Sequence, residues 1–325
     1  MARSVHLVRR PSGLPVAGDF AIVDGEPPSP RDGTALVENL YVSVDPYMRG
    51  LMDDTWPLGT AGEGRSIGRV VESRTDLRVG DLVFHWRGWR THALVEPADV
   101  RVLRPADGVP LSAYLGILGG TGLTAYVGLT RVGRLRPGET VFVSAAAGGV
   151  GSAAGQIART LGAGRVVGSA GSAAKVRHLL DDLGYDAAFD YHDGPVAELL
   201  AKAAPDGVDV YFDNVGGDQL EAALGSMRER GRLALCGAIA RHSGDQPGPR
   251  NLFEIIRKNL RLEGFSVRDH LASQPELEEF LVPHLQSGAV VPAETIVEGI
   301  DNAVEAFRGL FRGDNTGKTI VRVGS

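Results

Sequence analysis

Residues 140–161, TVFVSAAAGGVGSAAGQIARTL, constrain the fold of this chain more than any other stretch. Thr140, Val141, Phe142 and Val143 make the β-branched and aromatic run of an interior strand. Ala145 to Gly151 then carry side chains too small to keep a ligand from the backbone, and a helix follows. A helix start reached this way offers unpaired N–H groups and the positive end of the helix dipole to an anion. Gly148 and Gly151 match the last two glycines of G-x-G-x-x-G, with Ala146 at the first position. The pattern points to a dinucleotide whose pyrophosphate lies against Ala147, Gly148, Gly149, Val150 and Gly151. Taken alone, the imperfect motif also fits a Gly/Ala-rich turn with no ligand.

The next segment bears on which dinucleotide. Arg165 to Ser169 reads as the second strand, and in an NAD site the end of that strand carries an Asp or Glu for the adenosine ribose 2'-hydroxyl. Here the chain runs Ser169, Ala170, Gly171, Ser172, Ala173, Ala174, Lys175 instead. Hydroxyls, backbone donors and an ammonium stand where a carboxylate would repel a 2'-phosphate, so the expected cofactor is NADPH, with Gly171, Ser172 and Lys175 near the phosphate. Alternatively, Ser172 only caps the helix that starts near Ala173, and Lys175 is a solvated lysine.

The 325 residues suggest about two domains, and 43% hydrophobic content supplies an ample core. A net charge of −6 with scattered arginines argues against a nucleic-acid partner or a polybasic membrane patch. MARSVHLVRR is basic, but no apolar run follows it and none approaches a membrane span, so no membrane partner and a cytoplasmic location are the default expectations. The single cysteine, Cys236, lies in the apolar run GRLALCGA and excludes both an intrachain disulfide and a four-cysteine zinc lobe. The eight histidines show no H-E-x-x-H or comparable spacing, and no metal is expected.

Up to about residue 115 the chain alternates short β runs (35–44, 66–72, 81–84, 91–95) with Gly, Pro and Asp. From about 120 to 265 strands alternate with helices: after the segments above come helix 173–183, strand 187–190, helix 196–204, strand 208–214, helix 219–228, strand 232–237, helix 252–258 and strand 260–265. A further helix covers 275–287, and KTIVRV forms a terminal strand expected to return to the first domain. The fold class is therefore α/β, a doubly wound parallel sheet joined to a β-rich domain, with a ligand crevice expected between them.

The stretches VSVDPYMRG (42–50), GTGLTAY (120–126), SAAAGGVGSAAGQIA (144–158), AGSAAKV (170–176), VYFDNVGG (210–217), GRLALCGAI (231–239) and GDNTGKTIV (313–321) carry a resemblance to a known family. Over nearly its whole length the chain resembles the medium-chain dehydrogenase/reductase superfamily. More narrowly, it is similar to the zinc-independent branch of prostaglandin reductases and NADP-dependent alkenal double-bond reductases. The resemblance implies a Rossmann NADP-binding domain over 119–288, inserted into a GroES-like catalytic domain made of 1–118 and 289–325. It places Lys175 and Tyr191 at the 2'-phosphate end. It puts Thr124, Asn214, Val215, Cys236, Gly237, Ala238 and Asn315 along the rest of the cofactor. Tyr191 as a half-buried strand-end tyrosine, Asn315 as a turn residue and Thr124 as a packing threonine remain open alternatives.

On the substrate side the resemblance selects Tyr47, which could orient a carbonyl or could simply pack in its own loop, while Arg49 reads first as a structural ion-pair residue. Similar sequences often carry a tyrosine soon after the CGAI strand to protonate the enolate. Here Ala240, Arg241, His242 and Ser243 stand there instead, which makes His242 the nearest candidate donor; it reads equally as a loop histidine with no role, in which case solvent or the cofactor ribose hydroxyl supplies the proton. The implied reaction is hydride transfer from NADPH to the β-carbon of an α,β-unsaturated ketone or aldehyde. Quinone reduction, or cofactor binding with little catalysis, would use the same nucleotide fold. Homodimers are common among similar enzymes, so a homodimer is expected, with the strand edge near 260–267 as a seam.

Overall fold

The computed structural model of the protein describes residues 1–242, apart from the His242 side chain, and residues 248–324. They form two compact units: one of residues 1–115, 294–315 and 319 onward, the other of 116–293 and 316–318.

The first unit opens with eight strands: β1 (Ala2–Leu7), β2 (Phe20–Gly25), β3 (Ala35–Ser43), β4 (Thr60–Ala61), β5 (Ser66–Ser73), β6 (Leu82–His85), β7 (His92–Val95) and β8 (Arg101–Val102). β1 pairs with both β2 and β4 in a three-stranded antiparallel sheet. β3, β5, β6 and β8 are successive neighbours in a larger sheet, and β7 also pairs with β3. β1 and β2 were not expected from the sequence, because only Val5 and Leu7 of β1 turn inward and β2 buries little beyond Phe20. Those few side chains meet an aromatic cluster: Trp89 lies edge-on to Trp56 at 5.4 Å and to Phe307 at 5.6 Å between ring centroids. Gly62 is required beside it, since an added Cβ would stand 2.6 Å from the Trp56 ring. Between β3 and β4, the short helix α1 (Met48–Leu51) buries Met48 in the same core.

The second unit begins with α2 (Gly120–Val127), which loosens into a π turn over Gly128–Val132. Next come β9 (Thr140–Val143), α3 (Gly149–Thr160), β10 (Arg165–Ala170), α4 (Ala173–Asp181), β11 (Ala187–Asp190), α5 (Val196–Ala203), β12 (Val208–Asp213), α6 (Gly217–Ser226) and β13 (Met227–Leu235). The unit ends with α7 (Phe253–Arg257), β14 (Arg261–Gly264) and α8 (Gln274–Gln286). Six parallel strands lie in the order β11-β10-β9-β12-β13-β14. The order reverses between β9 and β12, and right-handed crossovers leaving in opposite directions put helices on both faces, so the expected doubly wound sheet is present. β9 is buried at every residue, as a central parallel strand must be.

One segment differs from expectation. Met227 and Arg228 belong to β13 rather than to the preceding helix, and β13 ends at Leu235, before Cys236. Its polar start, MRERG, reads locally as a helix end, but pairing with β12 through an irregular register at Val208/Val210 overrides that preference.

The chain then returns to the first unit. β15 (Glu294–Glu298) and β16 (Lys318–Arg322), joined through the strongly amphipathic helix α9 (Ala303–Arg312), complete the large sheet. β16 runs antiparallel to β3, with Ile320 opposite Ser43, so the terminal strand docks where the sequence placed it. Among the described residues, no helix is long and apolar enough to cross a membrane.

His85, at the end of β6, is wholly buried and accepts the Arg87 N–H at Nδ1, 3.0 Å away. Burial, with Arg90 and Arg87 nearby, pushes its pKa down to about 3 from an ordinary 6.5. The unfolded chain therefore takes up a proton here that the folded chain refuses. Stability from this site is full above pH 6.5 and is lost progressively as the pH falls toward 3. The full effect is on the order of 5 kcal/mol. Urea titrations at pH 7.5 and 4.5 should show a smaller acid loss in His85→Phe than in the unmodified protein.

Candidate dinucleotide site

At the carboxyl end of the parallel sheet, the chain passes from β9 through a tight turn into α3. Ala145 holds a left-handed φ of 46°, and Gly148 caps α3 in extended conformation (φ −83°, ψ 176°) without any side-chain cap bond. The first-turn N–H groups of a twelve-residue helix are thus left to a ligand rather than to a side chain. Gly151 is required by close packing: a Cβ there would lie 2.3 Å from the Ala145 carbonyl oxygen. Beneath the helix, the buried Tyr185 donates its hydroxyl hydrogen to the Gly151 carbonyl at 2.8 Å. A Cβ on Gly155 would overlap that ring at 2.2 Å. Turn and helix therefore sit close against the sheet, and nothing larger than alanine lines the turn from 145 to 149.

Two further segments border this turn within the same unit. Gly317 donates its N–H to the Ala147 carbonyl at 2.7 Å and forms a parallel bridge with Gly148. The GDNTGK segment that carries Asn315 thereby reaches the turn at Gly317; Asn315 itself is half-buried. Thr121 of α2 lies beside Gly149, and Thr124 donates its hydroxyl hydrogen to the Gly120 carbonyl at 2.7 Å, leaving only acceptor capacity toward a ligand.

A buried carboxylate organises the neighbouring edge. Asp213, at the end of β12, is 2% exposed. Its Oδ1 accepts from the Tyr211 hydroxyl (2.7 Å), the Ser144 hydroxyl (3.1 Å) and the N–H groups of Val215 and Gly216 (2.9 Å each). Ser144 in turn accepts the Asn214 N–H at 2.9 Å, and the Asn214 side-chain amide donates to the Ser144 carbonyl at 2.7 Å. The Cys236 thiol lies 3.1 Å from the Asn214 Oδ1, and burial together with Asp213 pushes its pKa well up. Asn214 and Cys236 thus hold each other through their side chains. What they leave toward a ligand is the exposed backbone at Gly237 and Ala238; the expected contact at Val215 is used internally, its N–H bonded to Asp213 and its carbonyl to the Ala240 N–H at 3.2 Å. Sequence reasoning singled out Asn214 and missed Asp213 and Ser144. The available signal was an Asp closing an apolar strand immediately before N-x-G-G.

The selectivity segment follows β10. Ser172 caps α4 by accepting the Lys175 N–H at 3.3 Å, so its lone pairs are partly committed while its hydroxyl hydrogen remains to donate. Lys175, the third residue of the helix beyond that cap, is half-buried. From the adjacent β11, Tyr191 brings its hydroxyl to Gly171, where an added Cβ would lie 2.7 Å from it. Burial and the neighbouring Asp190 raise the Tyr191 pKa, which keeps the phenol a donor at neutral pH. Gly171, Ser172, Lys175 and Tyr191 thus come together at one corner of the sheet.

In the first unit, Tyr47 precedes α1, half-buried against the aromatic core, with the Arg65 guanidinium 5.7 Å from its ring centroid. Arg49 pairs with Asp53 at 2.5 Å and donates to the Gly13 carbonyl, the structural role expected of it. His242 ends a short 3-10 turn, Ile239–His242, and its side chain lies outside the described residues, as does Ser243. Among the described residues, no group of three or more His, Cys, Asp or Glu side chains is gathered as a metal site.

Residues 149–287 match the family model described as zinc-binding dehydrogenase, and residues 3–103 match the N-terminal domain of oxidoreductase. The chain is 41% identical to the NADP-dependent 2-alkenal reductase of Nicotiana tabacum, covering 89% of this chain and 87% of the relative. It is 41% identical to prostaglandin reductase 1 of Bos taurus over 99% of both. CurA from Vibrio vulnificus, solved in complex with NADPH, superposes with a TM-score of 0.92 at 33% identity, covering 99% of each chain.

Removing the Asp213 carboxylate strands four donors at once. Asp213→Ala should cost roughly 3–5 kcal/mol in urea unfolding, whereas Tyr211→Phe, which removes one donor and leaves the rest bonded, should cost about 1 kcal/mol.

Proposed function

The chain belongs to the medium-chain dehydrogenase/reductase superfamily, in its zinc-independent reductase branch, and on that basis we propose that it reduces the carbon–carbon double bond of α,β-unsaturated ketones and aldehydes. It is an NADP-dependent oxidoreductase. The observation that carries the substrate reading is the 41% identity, over most of both chains, to a 2-alkenal reductase and to a prostaglandin reductase.

The residues of the nucleotide corner fit the cofactor: a turn of Ala and Gly followed by the Cβ-intolerant Gly151, an uncapped twelve-residue helix, and a corner holding Ser172, Lys175 and Tyr191. When bound, NADPH supplies a hydride. The turn 147–151 would hold the pyrophosphate with backbone N–H groups, Lys175 the 2'-phosphate, and the exposed backbone at Gly237 and Ala238 the remaining length. The Ser144–Asp213 network ties that edge together through the protein's own hydrogen bonds, which lowers the ordering cost of binding. Conjugation already makes the β-carbon of an enone electrophilic, so the protein's task is to position it and to stabilise charge growing on the carbonyl oxygen. We assign that hydrogen bond to the Tyr47 hydroxyl, and protonation of the α-carbon to His242.

A screen of NADPH oxidation against enones, enals, quinones and alcohols tests the reading. Turnover should concentrate on enones and enals, and a preference for quinones or alcohols would overturn it. Tyr47→Phe should lower kcat on an enone about tenfold or more while moving the NADPH KM little. Lys175→Glu should raise the KM for NADPH strongly and leave that for NADH nearly unchanged. Equal changes for both cofactors would remove the phosphate role.

A further inference from the structure

The helix that follows the Ala/Gly turn carries an enclosed polar side chain that the cofactor contacts do not use. Gln156 lies two turns beyond Gly148 on α3, about 12 Å along the axis, and is 6% exposed among Ala153, Ala154, Ile157 and Ala158. An amide buried there is tolerable only if both of its ends are bonded, and both are. Nε2 donates to the Ser152 carbonyl at 3.1 Å and to the Val291 carbonyl at 3.0 Å, while Oε1 accepts the Val291 N–H at 2.8 Å. The side chain thus pairs with Val291 much as a neighbouring strand would, through one donor and one acceptor. From Val291 the connections lead back to the turn. Two residues on, the Ala293 carbonyl accepts the Lys318 N–H at 2.8 Å. The residue before Lys318 is Gly317, which donates its N–H to the Ala147 carbonyl at 2.7 Å and bridges Gly148. Lys318 passes so close to α3 that its Cα would lie 3.2 Å from a Cβ on Gly149. Through Gln156, α3 therefore holds a strap, residues 291–293 with 316–318, that lies against its own first turn. All of these residues belong to the second unit.

A backbone cradle for an anion needs its N–H groups turned toward the ligand and its carbonyls turned away. Gly317 takes up the Ala147 carbonyl, and it can do so only while the strap is in register with the turn. We propose, on the reading that the phosphates of NADPH lie on this turn, that Gln156 is a positioning residue for the pyrophosphate: it touches no part of the nucleotide and acts by fixing the strap that orients residues 147–149. The consequence is specific. NADPH and NADH carry the same pyrophosphate, so loss of the Gln156 amide weakens both by the same factor. The corner of Ser172, Lys175 and Tyr191 has no link to the strap through Gln156, so recognition of the 2'-phosphate by itself is untouched.

The experiment is a calorimetric titration of the purified full chain with NADPH, NADH and adenosine 2'-monophosphate, well below the unfolding transition, together with amide hydrogen exchange over residues 313–318. Gln156→Leu should raise the Kd for NADPH and for NADH equally, by roughly threefold to tenfold, and leave that for adenosine 2'-monophosphate unchanged. The same variant should speed exchange at the Gly317 and Lys318 N–H groups. Gln156→Asn keeps a buried amide that is one methylene short of Val291, so it should loosen both dinucleotides in the same way, and it carries the test if Gln156→Leu does not fold. Leu200→Ala opens a cavity at a wholly buried position of α5 that is not part of the strap, so it should lower stability and leave all three Kd values as they were. Unchanged dinucleotide affinity in a folded Gln156→Asn protein overturns the proposal, as does a weakening shared by Leu200→Ala, unchanged exchange at Gly317 and Lys318, or a loss for NADPH alone. If the unmodified protein binds neither dinucleotide, the cofactor reading fails and the role of Gln156 falls with it. If it binds both and the Gln156 variants bind them as tightly, only the role of Gln156 is lost.

Discussion

One carboxylate oxygen, Oδ1 of Asp213, holds together the carboxyl edge of the parallel sheet against which the proposed nucleotide site is built. It gathers two hydroxyls and two backbone N–H groups at the point where β9 and β12 part. A buried charge is tolerable only when donors surround it, and four do. In exchange, the turn after β12 is fixed with no ligand present. Asn214 is bound back to Ser144, Cys236 is bound to Asn214, and the exposed backbone of Gly237 and Ala238 follows from those two anchors. Ser144 directly follows β9, so the same network also sets the starting direction of the Ala/Gly turn.

On the other side of that turn, size does what charge does at Asp213. Tyr185 fills the space under α3, and Gly151, Gly155 and Gly168 are bare because its ring and the turn's own backbone occupy the positions their side chains would take. The helix N-terminus is thereby pressed toward the sheet and kept clear of side chains. Ser172, Lys175 and Tyr191, proposed above for the 2'-phosphate, stand at a separate corner, after β10 and β11. In that proposal the shared part of the nucleotide is met by backbone and its phosphate by side chains.

The legible parts of the sequence were those with strong local signals. β9 is an unbroken apolar run, the turn after it is made of Ala and Gly, and α3, α4 and α5 begin where small or capping residues stop the preceding strand. β1 and β2 were not legible because they contribute few inward side chains each. The start of β13 was missed because MRERG carries helix-compatible charges and is drawn into the sheet by its neighbour. In the site, the glycines and Lys175 stood out by type, but the partnership of Ser144 with Asp213 spans 69 positions and leaves no period to read. Asn214 reads in the sequence as a ligand contact, yet its side chain is used internally, and that is visible only once three strands are in place.

The route of the chain has a temporal consequence. β3 finds its partner β16 only after the whole parallel unit has been made, with Val42 waiting for Val321 and Ser43 for Ile320. On the ribosome, the nucleotide-type unit has nearly all of its own strands in hand while the earlier sheet still lacks one flank of its longest member. β7 already covers Ala35–Glu38 on this same edge, so the part left open is Tyr41–Ser43, which must stay unaggregated throughout elongation. Nascent-chain quality control therefore has a long window of exposure at the carboxyl end of β3.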